Sequence, residues 1–170
     1  MLKLVTYPND ILKENLPDFD FDNPIMDPRL LEEEMVKLMA DENGRGLSAN
    51  QAGIRARVFV MITENLEGVT TPFAVFNPKI ITTDNEEVVG YEGCLSFPGL
   101  MIGVKRPEHV VVEFFDRDKN KCIIRLDGID ARCFLHEFDH LNGVCFTDRI
   151  SKLKLEMALK KQRKRNGRTK

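Results

Sequence analysis

At 170 residues, 42% hydrophobic and 31% charged, the chain has the size of one compact domain and leaves too little for a second with its own core. No run approaches the roughly 20 apolar residues of a membrane helix, and Met1-Leu2-Lys3-Leu4-Val5 opens neither a signal core nor a transit segment, so a soluble, unprocessed chain is expected. The net charge of −2 conceals a split: residues 152–170 carry nine Lys/Arg against the single acid Glu156, a net +8, while the remainder is −10, an acidic body with a basic arm suited to a polyanionic partner.

In chain order, Tyr7-Pro8-Asn9-Asp10 predicts a turn, with Asp10 capping a short helix through Ile11-Leu12, followed by an Asp- and Pro-rich connector from Pro17 to Pro28. From Pro28, Leu31, Met35, Leu38 and Met39 recur at helical spacing until Gly44, which predicts the first long helix. Short β-rich runs follow at Val58–Ile62, Phe73–Phe76, Lys79–Thr82, Glu86–Tyr91, Val110–Phe115 and Cys122–Leu126, separated by turn signals such as Asn77-Pro78, Arg106-Pro107 and Asp118-Lys119-Asn120. Phe115 to Cys122 reads as a hairpin, so the sheet is expected to be mostly antiparallel. A helix from about Ile129 to Leu141 comes next, with Asp130 as cap or first-turn acid and Gly143 just past its end. A last helix from about Ser151 carries Leu153, Leu155, Met157 and Leu159 into the Lys/Arg run. Strands bracketed by helices predict an α+β fold, its antiparallel sheets packed around the Ile129–Leu141 helix.

That helix holds the most informative stretch, His136-Glu137-Phe138-Asp139-His140, an H-E-x-x-H. Residues i and i+4 share a helix face, so both histidines can address one ion while Glu137 reaches a water beside it. A catalytic site of this kind needs a third protein ligand and an open position. No histidine follows His140, and Asp148, eight residues on, lacks the spacing of the larger H-E-x-x-H peptidases, which turns the search upstream to Cys94. Cys94 lies in Gly90-Tyr91-Glu92-Gly93-Cys94-Leu95-Ser96-Phe97-Pro98-Gly99, where glycines allow close approach and free backbone N–H groups to donate. The four cysteines show no C-x-x-C pair or dense spacing, so free thiols in a reducing cytosol are expected. A third segment, Asn43 to Gly53, is rich in glycine and small residues and presents Gln51, a neutral amide able to donate to an oxyanion. It lacks the Lys-Ser/Thr ending of a P-loop, which argues against a nucleotide cofactor.

Together these segments resemble the peptide deformylase family, whose motifs G-x-G-x-[AS]-A-x-Q, E-G-C-L-S and H-E-x-D-H occur in family order at Gly44 to Gln51, Glu92 to Ser96 and His136 to His140. Tyr7-Pro8, Pro98-Gly99 and Asn142-Gly143 add to the likeness, which runs to about residue 150 and leaves 151–170 as a basic extension. The resemblance implies removal of the N-formyl group from nascent polypeptides, with Cys94, His136 and His140 holding one divalent ion, natively Fe(II), with Zn, Ni or Co able to replace it. It implies Glu137 as general base, with Gln51 and the Leu95 N–H meeting the oxyanion. The peptide is expected to align as an added strand against backbone of the first two motifs at Gly46 and Gly93, with Ile129, Cys133 and the stem of Glu92 lining the methionine pocket.

Asp139 is expected to position the helix or a ligand, with Arg132 as a candidate partner. Two positions depart from the family pattern: Arg45 stands where an aliphatic residue is usual, at the substrate-side rim, and Leu135 stands where glutamine is usual. The basic extension resembles the helix by which some bacterial members reach the ribosome, where attachment to rRNA would depend on salt. Cys122 and Cys145 are expected in the core, and His109 at the surface. A zinc peptidase using Asp148, and an inactive metal-stabilised module docking on rRNA, are the competing readings. A bacterial or phage-encoded chain acting in bacterial cytoplasm fits all these features.

Overall fold

The computed structural model describes residues 1–64 and 70–166. Among them are seven strands, β1 (Gly46–Ser48), β2 (Val58–Glu64), β3 (Thr70–Thr83), β4 (Glu87–Cys94), β5 (Phe97–Pro107), β6 (His109–Phe115) and β7 (Lys121–Asp127). Three helices accompany them, α1 (Pro28–Asp41), α2 (Gly128–Leu141) and α3 (Lys152–Asn166). All strand pairs are antiparallel, in a five-stranded sheet of order β1-β2-β3-β6-β7 and a separate β4-β5 hairpin. The α+β architecture follows the sequence-based expectation.

The alternation of β2 shows why the sheet lies between two helices. Val58 and Val60 face one side, where Leu31, Met35 and Met39 of α1 complete a core with Phe76. Phe59 and Met61 face the other, packing with Val75, Val112 and Phe114 against Ala131, Phe134 and Leu141 of α2. A third cluster joins Leu100, Ile102 and Val104 of β5 to Phe146 and to Leu155, Ala158 and Leu159 of α3. The apolar face of α3 is therefore narrower than its sequence suggests, and Leu153 and Met157 are exposed.

Several boundaries differ from expectation. Asn77-Pro78 does not separate two strands: Asn77, at φ 49°, sits within the continuous β3, whose register against β6 shifts between Phe76 and Lys79. Asn77 instead ties the connector down, donating to Phe19 O and accepting from Phe19 N. β5 was not expected at all, and its proline and glycines (Phe97-Pro98-Gly99, Gly103) conceal a strand with Leu100, Ile102, Val104 and Arg106 on the buried face. The first 3-10 turn is capped by the Asn9 side chain rather than by Asp10. The glycine-rich segment Asn43 to Gly53 holds β1 and a 3-10 turn, Ala49–Ala52.

α2 makes no side-chain cap bond at its start, where Asp130 turns instead to Arg45. Its end follows the expected glycine stop: Gly143 has φ +69°, and Val144 N bonds back to Asp139 O. A Cβ at Gly143 would run into the Lys13 carbonyl, so the end of the first 3-10 turn can pass the C-terminus of α2 only over a glycine.

Candidate metal centre

Two elements bring the three sequence-predicted ligands together. One turn of α2 sets His136 and His140 edge to face with ring centroids 5.1 Å apart, and β4 ends at Cys94 beside the tight Leu95-Ser96 turn. Cys94 Sγ lies 3.3 Å from His140 Nε2, and one ligand atom from each of Cys94, His136 and His140 falls within 4.8 Å of the others. Asp148 is not in this group; it accepts from Lys13 Nζ and from the Cys145 backbone N–H.

The electrostatics favour a cation. Burial works against a charged His136, yet Cys94 and Glu92 on either side of its ring carry it up to about 10. His140, fully buried, is pushed well below its ordinary value by burial and by the positive charges of His136 and Arg106. A soft sulfur, two imidazoles and an electrostatic demand for positive charge suit a divalent transition metal.

Glu137 is 4% exposed, and burial drives its carboxyl up to about 7, into the range where a group exchanges protons near neutral pH. Its Oε2 has no hydrogen-bond partner. A Cβ built on Gly46 would lie 2.5 Å from Glu137 Oε1, so this glycine makes room for the carboxylate. Gln51 is fixed by its own oxygen, which accepts from the Ser48 N–H and hydroxyl, leaving Nε2 to point at Cys94 Sγ (3.4 Å) and Ser96 Oγ (3.1 Å). Asn50 Nδ2 donates to His140 O at 2.9 Å, tying the same turn to α2.

Beside the cluster opens a cleft of about 540 Å³. Gly46, Gln51, Glu92, Gly93, Cys94 and Leu95 contribute from the loops and strands, and Ile129, Cys133, His136 and Glu137 from α2, so of the ligand, catalytic and peptide-contacting residues that the resemblance implies, all but His140 border it. The outer wall at Ile129 is exposed.

Glu92, which borders this wall, is 6% exposed. Burial alone would raise its carboxyl, but hydrogen bonds from His136 and Arg106 hold it at about 2. Asp139 does not pair with Arg132 as expected: it accepts from Arg106 Nη1 at 2.8 Å and from Arg149, because Arg132 reaches across to β4 instead. Ser48, Ser96, Arg106 and Arg149 were not singled out from the sequence. For Arg106, the signal was there in Leu100, Ile102 and Val104, whose alternation places an arginine on a buried face that must supply it with carboxylates.

A thiol and two imidazoles converging beside a buried carboxylate on an H-E-x-x-H helix define a candidate metallohydrolase centre, and similarity to known proteins narrows the class. Residues 1–156 match the model of the polypeptide deformylase family. The peptide deformylase of Rhizobium meliloti is 36% identical over 159 residues, covering 93% of this chain and 90% of that one. The crystal structure of a peptide deformylase from Synechococcus elongatus in complex with actinonin superposes with a TM-score of 0.84 at 34% identity, over 95% of this chain and 87% of the other. That of a probable peptide deformylase from Synechococcus phage S-SSM7 gives 0.79 at 33%, over 88% and 100%. This chain belongs to the polypeptide deformylase family, metal-dependent hydrolases that remove the N-formyl group from nascent polypeptides.

Proposed function

We propose that deformylation in this cleft divides among the chain's residues as follows. Cys94, His136 and His140 hold one divalent ion, Fe(II) natively, with Zn, Ni or Co as substitutes compatible with a thiolate and two imidazoles. When bound, such an ion supplies Lewis acidity, acidifying a water and polarising the formyl carbonyl. Glu137 takes the proton of the attacking water at its unpaired Oε2 and returns it to the leaving amine, so that formate and a free N-terminus result. Gln51 Nε2, already aimed beside Cys94 Sγ, and the Leu95 N–H donate to the oxyanion. The peptide lies as an added strand along Gly46 and Gly93, and its methionine side chain enters between Ile129, Cys133 and the stem of Glu92.

The observation that carries this reading is the convergence of Cys94, His136 and His140 beside a buried, unpartnered Glu137 oxygen. Anaerobically purified protein is expected to hold about one metal per chain and to release formate from formyl-Met-Ala-Ser; Cys94→Ala should lose both. A Cys94→Ala variant with full activity would instead revive the peptidase-like arrangement without the thiol.

Residues 1–150 form the catalytic domain in this proposal, and 151–170 a basic extension that attaches to rRNA in a bacterial cytoplasm. Support comes from the nine positive charges of 152–170, and from an α3 whose apolar residues Leu155 and Leu159 are taken up by β5. No described helix is long and apolar enough to cross a membrane. Co-sedimentation with ribosomes that falls steeply with added salt would bear the attachment out; salt-independent or absent co-sedimentation would not.

A further inference from the structure

We propose that Arg132 is a positioning residue for the metal centre, holding the Glu92 carboxylate so that one of its oxygens faces His136. The inference rests on the reading above that His136 is a ligand. Glu92 has two oxygens with two donors each. Oε1 accepts from Arg106 Nε (2.6 Å) and Arg132 Nη1 (2.8 Å), and Oε2 from Arg106 Nη2 (2.9 Å) and His136 Nδ1 (3.0 Å). All four acceptor positions of the carboxylate are thereby filled, and His136 Nε2 is left facing the centre. A ligating imidazole is oriented and made more basic by the acceptor on its other nitrogen, so whatever fixes Glu92 fixes the ligand.

Arg106 cannot do this alone, because it is shared. Its Nη1 also donates to Asp139 Oδ2 at 2.8 Å, and Asp139 is in turn engaged by Arg149. Glu92 gripped only by Arg106 has no second anchor against being drawn along that line. Arg132 supplies the anchor from the hairpin side, where its own aim is set by backbone: Nη1 donates to Val104 O (2.9 Å) and Nη2 to Val88 O (2.9 Å). One guanidinium thus ties α2, which carries both histidines, to the β4-β5 hairpin, which carries Cys94. A second observation shows that room is kept for it. A Cβ on Gly90 would lie 2.5 Å from Arg132 Cζ and Nε, so only glycine at that position lets the guanidinium sit flat against β4. Arg132 also borders the cleft, which puts the positioning group in the wall the substrate passes.

The test is metal release rather than turnover. Zn-loaded protein is challenged with excess chromogenic chelator, and release is compared for wild type, Arg132→Met, Gly90→Ala, Glu92→Gln and the double variant Arg132→Met/Glu92→Gln, each with its metal-free unfolding midpoint recorded. Arg132→Met, Gly90→Ala and Glu92→Gln should each release metal about tenfold faster or more. The double variant should release no faster than Glu92→Gln alone, since Arg132 acts through Glu92. Wild-type release from Arg132→Met would overturn the proposal, as would a double variant accelerated by the full product of the two single effects, the signature of a merely structural tie. Should Arg132→Met fail to fold, Gly90→Ala, which keeps the arginine but displaces it, and Arg132→Lys, which keeps the charge but not the fork, carry the same comparison. His136→Ala separates the two claims: unchanged metal content there would overturn the ligand set, whereas metal lost there but firmly held in Arg132→Met and Gly90→Ala would overturn only the role of Arg132.

Discussion

The two buried sides of α2 are governed by different rules. On one, Ala131, Phe134 and Leu141 are fully buried against the sheet, and Phe134 meets Phe59 edge-on at 5.1 Å between ring centroids. On the other, Arg132, His136, Glu137, Asp139 and His140 are nearly as inaccessible, facing the hairpin and the Gly46–Ala52 segment. The apolar side needs only volume to be filled, and many side chains fill volume. The polar side needs a specific partner for each group, because an unpaired buried charge costs far more than a cavity. Almost every group on it has one. Among the described residues the exceptions on this helix are Glu137 Oε2 and His140 Nδ1, both on residues assigned to the chemistry.

The comparison is sharpest where one side fails without the other. The largest effect is expected from His140→Ala, which should abolish both metal retention and formate release while the far-ultraviolet circular dichroism stays native, since the sheet side of α2 is untouched. On the apolar side, Phe134→Ala should cost about 3–5 kcal/mol of unfolding free energy by denaturant titration yet leave kcat/KM within a few-fold below the melting range. Gln51→Leu keeps the volume but removes the donor beside Cys94 together with the acceptor of the Ser48 N–H and hydroxyl; kcat should fall about 10²–10³-fold with the metal content unchanged. Smallest is Arg45→Leu. Its partly exposed pair with Asp130, 2.9 Å long, should contribute no more than about 1 kcal/mol to stability, with any change in kcat/KM confined to the choice of residues after methionine.

The first long helix and most strands of the sheet were legible in the sequence because their signals are local. Leu31, Met35, Leu38 and Met39 mark α1 by their spacing, and the β2 and β6 runs declare themselves by β-branched content. The cluster proposed as the ligand set was legible for a different reason: His136 and His140 are separated by one helical turn, and the motif around Cys94 carries the family resemblance. The supporting charges were not legible, because an arginine's partner lies wherever the fold brings a carboxylate. Arg132 and Asp139 share a helix, yet they face different neighbours, and Arg106 is reached only once β5 is seen as a strand despite Pro98, Gly99 and Gly103. The pairing of Arg45 with Asp130 likewise joins residues 85 positions apart, so that Asp130, the acid in the first turn of α2, makes no cap bond and is the far end of an ion pair.

Glu137 is proposed as the proton carrier beside a metal held by other residues. The most direct measurement is single-turnover formate release from formyl-Met-Ala-Ser by anaerobically prepared Glu137→Gln, with metal counted in the same sample. About one metal per chain is expected, as in wild type, with formate release slowed by about 10²–10⁴-fold. Release at the wild-type rate from the metal-loaded variant would contradict that role of Glu137.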